Sequence, residues 1–110
     1  MKIYENEMVF SEAAARLLHL SVASPHVVFM VDRDAEQMKR KRVYVARATG
    51  LWPIRYPSVP KDKRRIVRCR ELCRELATLL DGYGTYRICG EDSWTGDGIT
   101  WYNIFFRRYD

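Results

Sequence analysis

Between residues 49 and 60 the chain carries Gly50 and three prolines, Pro53, Pro57 and Pro60, interleaved with Leu51, Trp52, Ile54, Tyr56 and Val59. Proline fixes φ and donates no backbone hydrogen bond, so this density is incompatible with a helix or a central strand. The spacing predicts a linker that winds over the surface, and its apolar residues predict that it packs down. It falls near the middle of 110 residues. A chain of that length supports one modest core. The expectation is a single compact domain over 1–110, with a first half 1–48, a Pro-rich and basic linker 49–65 and a second half 66–110.

The two flanking segments repeat an order of elements. In the first, 1–4 and 7–10 are short extended candidates. Ser11 then stands where it can cap a helix over 11–20, with Ala14, Leu17 and Leu18 on one face. The run His26, Val27, Val28, Phe29, Met30, Val31 is β-branched and aromatic and predicts a strand, followed by a charged loop over 32–42 and a strand over 43–48. In the second, Cys69, Leu72, Cys73, Leu76, Leu79 and Leu80 recur at helical spacing and predict the longest helix, 68–80, closed by Asp81 and Gly82. A strand over 83–89, a turn over 90–98 and an aromatic strand over 99–108 follow, the two strands forming a hairpin.

A shift of 58 residues lays 8–49 on 66–107 without gaps, helix on helix and strand on strand. The identities (Val9 on Val67, Arg16 on Arg74, Leu18 on Leu76, Asp34 on Asp92, Tyr44 on Tyr102) are no more than composition supplies, so the case rests on element order. The expected fold class is α+β: two β-α-β-β-like halves forming a mostly antiparallel sheet or small barrel plus two helices. Both faces of 99–108 are largely apolar. That predicts a strand central to its sheet or, alternatively, one face in a homodimer interface.

Charge is unevenly placed. The whole chain has 19 Lys and Arg against 14 Asp and Glu, a balance of +5. From 39 to 74, however, thirteen basic residues face only Asp62 and Glu71, so that stretch is +11 and the remainder −6. Such a layout attracts phosphates or an acidic protein surface. The residues that would carry it are Lys39, Arg40, Lys41 and Arg42 at a hairpin tip, and Lys61, Lys63, Arg64, Arg65 and Arg68 leading into the long helix. Cations at a helix N-terminus oppose the macrodipole unless an anion is there. Trp52, Tyr56 and Trp94 would offer stacking surfaces for single strands. Long basic side chains that solubilise a small domain and pair with Glu12, Glu36, Glu71 and Glu75 explain the same pattern without a ligand.

Residues 8–20 (Met8-Val9-Phe10-Ser11-Glu12-Ala13-Ala14-Ala15-Arg16-Leu17-Leu18-His19-Leu20), followed by Val27-Val28-Phe29-Met30-Val31, resemble the swapped-hairpin domain of AbrB-like regulators and antitoxins. There a strand runs into a helix of the form L-x-x-x-L-G-L, then a loop and two strands. The resemblance covers residues 1–48. His19 stands where the family has Gly, Pro25-His26 replaces Gly-Asp, and the 32–42 loop is long. The resemblance implies an intertwined β-barrel that binds DNA through basic residues. A second copy in the same chain would supply the partner that another subunit normally gives.

Enzymatic readings find no support. His19 and His26 are the only histidines, His19 beside core leucines. No nucleophile comes with a base and an orienting group, and Gly90, Gly96 and Gly98 form no phosphate-binding fingerprint. Cys69, Cys73 and Cys89 are odd in number, which excludes a closed disulfide framework. Without a Cys-x-x-Cys pair they suit buried free thiols better than zinc ligands. No apolar run reaches the roughly 18 residues of a membrane span, and the start lacks a signal peptide's apolar stretch. The expectation is a cytoplasmic, non-enzymatic module without metal or cofactor. Its partner is DNA, or alternatively an acidic protein in an assembly role.

Overall fold

A computed structural model describes residues 1–32, 42–49 and 54–109. Among them are ten strands and two helices: β1 (Lys2–Ile3), β2 (Met8–Phe10), α1 (Glu12–Leu17), β3 (His26–Asp32), β4 (Arg42–Arg47), β5 (Tyr56–Pro57), β6 (Val59–Lys61), β7 (Arg64–Val67), α2 (Arg70–Leu79), β8 (Gly84–Thr85), β9 (Ile88–Gly96) and β10 (Ile99–Ile104). The strands form two antiparallel five-stranded sheets, β6-β7-β2-β1-β8 and β5-β3-β4-β10-β9. The fold is therefore α+β, and among the described residues neither sheet closes into a barrel.

Both sheets are assembled across the two halves. β2 pairs with β7, and β4 with β10. α1 and α2 begin at Glu12 and Arg70, 58 residues apart. With that shift Met8 pairs with Val67, the counterpart of Val9, while Val9 pairs with Ile66, the counterpart of Met8. Tyr44 and Val45 pair in the same reciprocal way with Asn103 and Tyr102. Such reciprocity is the rule of an isologous interface, here made within one chain.

One core lies between the sheets. Ile3, Met8, Phe10 and Val67 from the first sheet meet Val27, Val43, Val45 and Ile104 from the second, with Ala14, Leu18, Leu72, Cys73, Leu76 and Tyr86 completing it. The opposite face of the second sheet holds Val28, Tyr44, Ala46, Ile99 and Trp101. β10 thus lies between β4 and β9, as a strand apolar on both faces requires. Its Ile99 and Trp101 are buried within the single chain.

Local chemistry accounts for the ends. Ser11 Oγ accepts from the Ala14 amide at 3.1 Å and starts α1. α1 ends with His19 at φ 55, its amide donating to Arg16 O and that of Leu20 to Ala15 O. These are the two bonds of a Schellman motif, at a position that favours glycine.

Several expectations are corrected: 83–89 is not one strand, since β8 lies in the first sheet and β9 begins at Ile88 in the second, and the last strand ends at Ile104 and not at 108. The Pro-rich linker is not wholly irregular, because β5 and β6 lie in it with Pro57 and Pro60. Both are edge strands, where a missing amide interrupts no ladder. Nor is 90–98 a turn throughout. β9 runs on to Gly96, and the reversal takes only Asp97 and Gly98, at φ 53 and 77. Asp-Gly with both residues at positive φ is the favoured two-residue hairpin turn.

Candidate nucleic-acid interface

The described basic residues divide by environment. β6 and β7 form a hairpin in which Lys61 pairs with Arg64 and Pro60 with Arg65, so the turn is Asp62-Lys63, with Asp62 at φ 57. Lys61, Lys63 and Arg64 are all exposed at this tip. Lys61 and Arg64 stand directly opposite each other across the ladder, an arrangement of like charges that costs stability. Among the described residues the ion-pair partner at this tip is Asp62, 3.8 Å from Arg64. Arg68 lies just past β7, also exposed, and no ion pair among the described residues engages it, Lys61 or Lys63.

Arg65 does not belong with them. It is 7% exposed. Its Nε donates to Ser58 Oγ at 3.1 Å and its Nη2 to the Ser58 carbonyl at 2.7 Å, while Ser58 Oγ donates to Pro25 O at 2.6 Å. Ser58 is the residue between β5 and β6, where the chain passes from one sheet to the other. Arg65 therefore braces the base of the hairpin and presents no charge to a partner. The alternation of a strand turns it inward: Phe10, its partner on β2, is in the core.

Arg42 opens β4 in the other sheet, opposite Asp32 on β3. A hydrogen bond to Tyr44, together with Asp92 and Asp32 nearby, holds its guanidinium pKa above the ordinary value. Its surroundings are thus mixed in sign. Lys39, Arg40 and Lys41 lie outside the described residues, as does Trp52. Of the other rings expected to stack, Tyr56 is half-buried against Phe29, with centroids 6.2 Å apart. Trp94 is half-exposed and lies against Gly96, beside Trp101 and Tyr44.

The helix start carries less free charge than its sequence implies. Arg70 pairs with Glu5 at 3.3 Å, and Glu71 sits in the first turn. Cys69, the N-cap residue of α2, makes no side-chain cap bond. Cys73 is fully buried, and burial, helped by neighbouring Cys69, pushes its thiol up to about 11. Burial raises Cys89 as well. Among the described residues no group of three His, Cys, Asp or Glu is placed to hold a metal, and no helix is long and apolar enough to cross a membrane.

Compared with protein-family models, curated proteins and solved structures, the chain finds no match in any of the three.

Proposed function

We propose that this protein is a non-enzymatic nucleic-acid-binding module, a DNA-associated regulator or antitoxin-like protein that offers the β6–β7 hairpin to the phosphate backbone. The observation that carries the reading is the hairpin tip. Lys61, Lys63 and Arg64 crowd a two-residue turn with one carboxylate beside them, and phosphate relieves the repulsion that the bare protein must bear. A two-stranded ribbon also matches the width of the major groove of B-DNA. The left-handed conformation at His19, where the AbrB-like pattern has glycine, and the pairing of corresponding strands across the halves support the same family of readings.

The test is a mobility shift on duplex DNA over a range of salt. If Lys61, Lys63, Arg64 and Arg68 each meet one phosphate, the logarithm of affinity falls with the logarithm of salt at a slope of about −3 to −4. Each reversal to Glu lowers that slope by about 1. Arg65 is left intact in this series because it is structural. Absence of any shift at low salt for DNA and RNA alike defeats the reading. One observation favours a second reading: β6 is an edge strand. An acidic protein surface would meet Lys61 and Arg64 at that edge through its carboxylates, without adding a strand.

A further inference from the structure

We propose that a second surface, built from β1, β8 and residues 105–109, is a platform for single-stranded nucleic acid, separate from the β6–β7 hairpin. Residues 105–109 run alongside β8. The Phe105 amide donates to Arg87 O at 2.9 Å and the Tyr109 amide to Thr85 O at 3.1 Å, and Arg108 Nη1 donates to the Tyr83 carbonyl at 2.9 Å. On its other side β8 pairs with β1, Lys2 opposite Thr85 and Ile3 opposite Gly84. Ile3 and Gly84 are buried, so the alternate positions face outward. These are Lys2 and Thr85 and, one step beyond the ladder, Tyr4 and Tyr83.

This surface interleaves rings with cations. Tyr4, Tyr83 and Phe105 are exposed by 44%, 39% and 44%, and Tyr109 by 71%. Lys2 Nζ stands 5.1 Å from the centre of the Tyr4 ring, and the Arg107 guanidinium 5.5 Å from that of Phe106. Among the described residues no ion pair engages Lys2, Arg107 or Arg108, whereas Arg87 is held by Glu91. Rings left in water on fixed backbone lose apolar free energy unless something stacks on them. Neighbouring cations select a planar, phosphate-linked ligand over an uncharged one. Successive bases stacked on aromatic side chains beside a positive track are the general solution for single strands, and they demand no base sequence. Duplex DNA keeps its base faces internal and has nothing to place on these rings.

The experiment is fluorescence anisotropy on the full chain with labelled oligothymidylate of about 12 nucleotides, in the range of single-strand site sizes. An abasic oligomer of the same length serves as the charge-only probe. Oligothymidylate should bind at least about tenfold tighter than the abasic oligomer. Tyr109→Ala and Tyr83→Ala should each weaken it by about fivefold to a hundredfold, with Tyr109→Phe restoring it. Tyr109 is so exposed that its truncation leaves the fold intact, which circular dichroism would verify. Lys61→Glu with Lys63→Glu should leave this binding unchanged while weakening duplex DNA. Failure of the wild-type chain to bind duplex DNA, with oligothymidylate still bound, therefore sinks the hairpin reading and not this one. Equal affinity for the abasic oligomer, no oligothymidylate binding at low salt, or wild-type affinity in the Tyr83→Ala, Tyr109→Ala double variant overturns the platform.

Discussion

The guanidinium of Arg65 is held by Ser58 through two hydrogen bonds in a nearly dry setting. Truncating it strands the Ser58 carbonyl and opens a void, so Arg65→Ala should cost about 1–3 kcal/mol in urea unfolding. Lys63→Ala, in solvent, should stay within about 0.5 kcal/mol. The same burial logic sets a pH dependence. Cys73 titrates at about 11 in the folded protein against an ordinary value of 9.0. The folded state therefore holds this proton more tightly than the unfolded one. Its contribution to stability is complete below about pH 9 and is lost as pH rises towards 11. Denaturation midpoints measured from pH 8 to 11 should fall, and Cys73→Ala should flatten that fall. Residue identity alone makes Arg65 indistinguishable from Arg64. What separates them is place: Arg64 is the tip residue opposite Lys61, while Arg65 lies one step inward against Ser58 and opposite Phe10, a position known only once β7 is known to pair with β6 and β2.

At the scale of elements, the long amphipathic helix, the β-branched strand at 26–31 and the aromatic strand expected over 99–108 are legible because periodicity and side-chain shape agree, although the last ends at Ile104. The short strands β5, β6 and β7 are not, since two to four residues carry no period and prolines argue against the first two. The Asp97-Gly98 turn was within reach, but the surrounding Gly, Ser and Asp read as one long loop. β9 in fact departs from its ladder at Gly90, Glu91 and Asp92, where the pairing jumps from Ser93 to Cys89 and Asn103 Nδ2 donates to Asp92 at 2.9 Å. Two left-handed positions give paired predictions of opposite sign. Gly98→Ala meets no steric neighbour yet should lose about 1 kcal/mol to its φ of 77, whereas His19→Gly should gain up to about 1 kcal/mol. Equilibrium denaturation with matched m-values decides both.

For the whole molecule, the reciprocal β2–β7 and β4–β10 pairings mean that neither half owns a complete sheet. Peptides covering 1–49 and 54–110 should each be largely unfolded alone and regain strand and helix signal on equimolar mixing, as read by far-ultraviolet circular dichroism. If either folds by itself, the halves are less interdependent than their shared ladders require. The 58-residue correspondence was legible as element order. The pairing that interlocks the halves was not, because register depends on contacts distant in sequence. For the candidate sites, the basic stretch 39–74 contains the hairpin cations, whereas Phe105-Phe106-Arg107-Arg108-Tyr109 lies outside it, a pair of rings, a pair of cations and a further ring visible in the chain.

Two open sheets leave four edges, and each carries a different deterrent to self-association among the described residues. β5 is two residues long and ends in Pro57. β6 lacks an amide at Pro60 and ends in Lys61. β8 is covered by residues 105–109, and β9 breaks its line at Gly90, Glu91 and Asp92. Such devices are how open sheets blunt their edges against pairing with another chain. Replacing Pro60 with threonine would restore a donor along β6, and the expected penalty is concentration-dependent oligomers in light scattering.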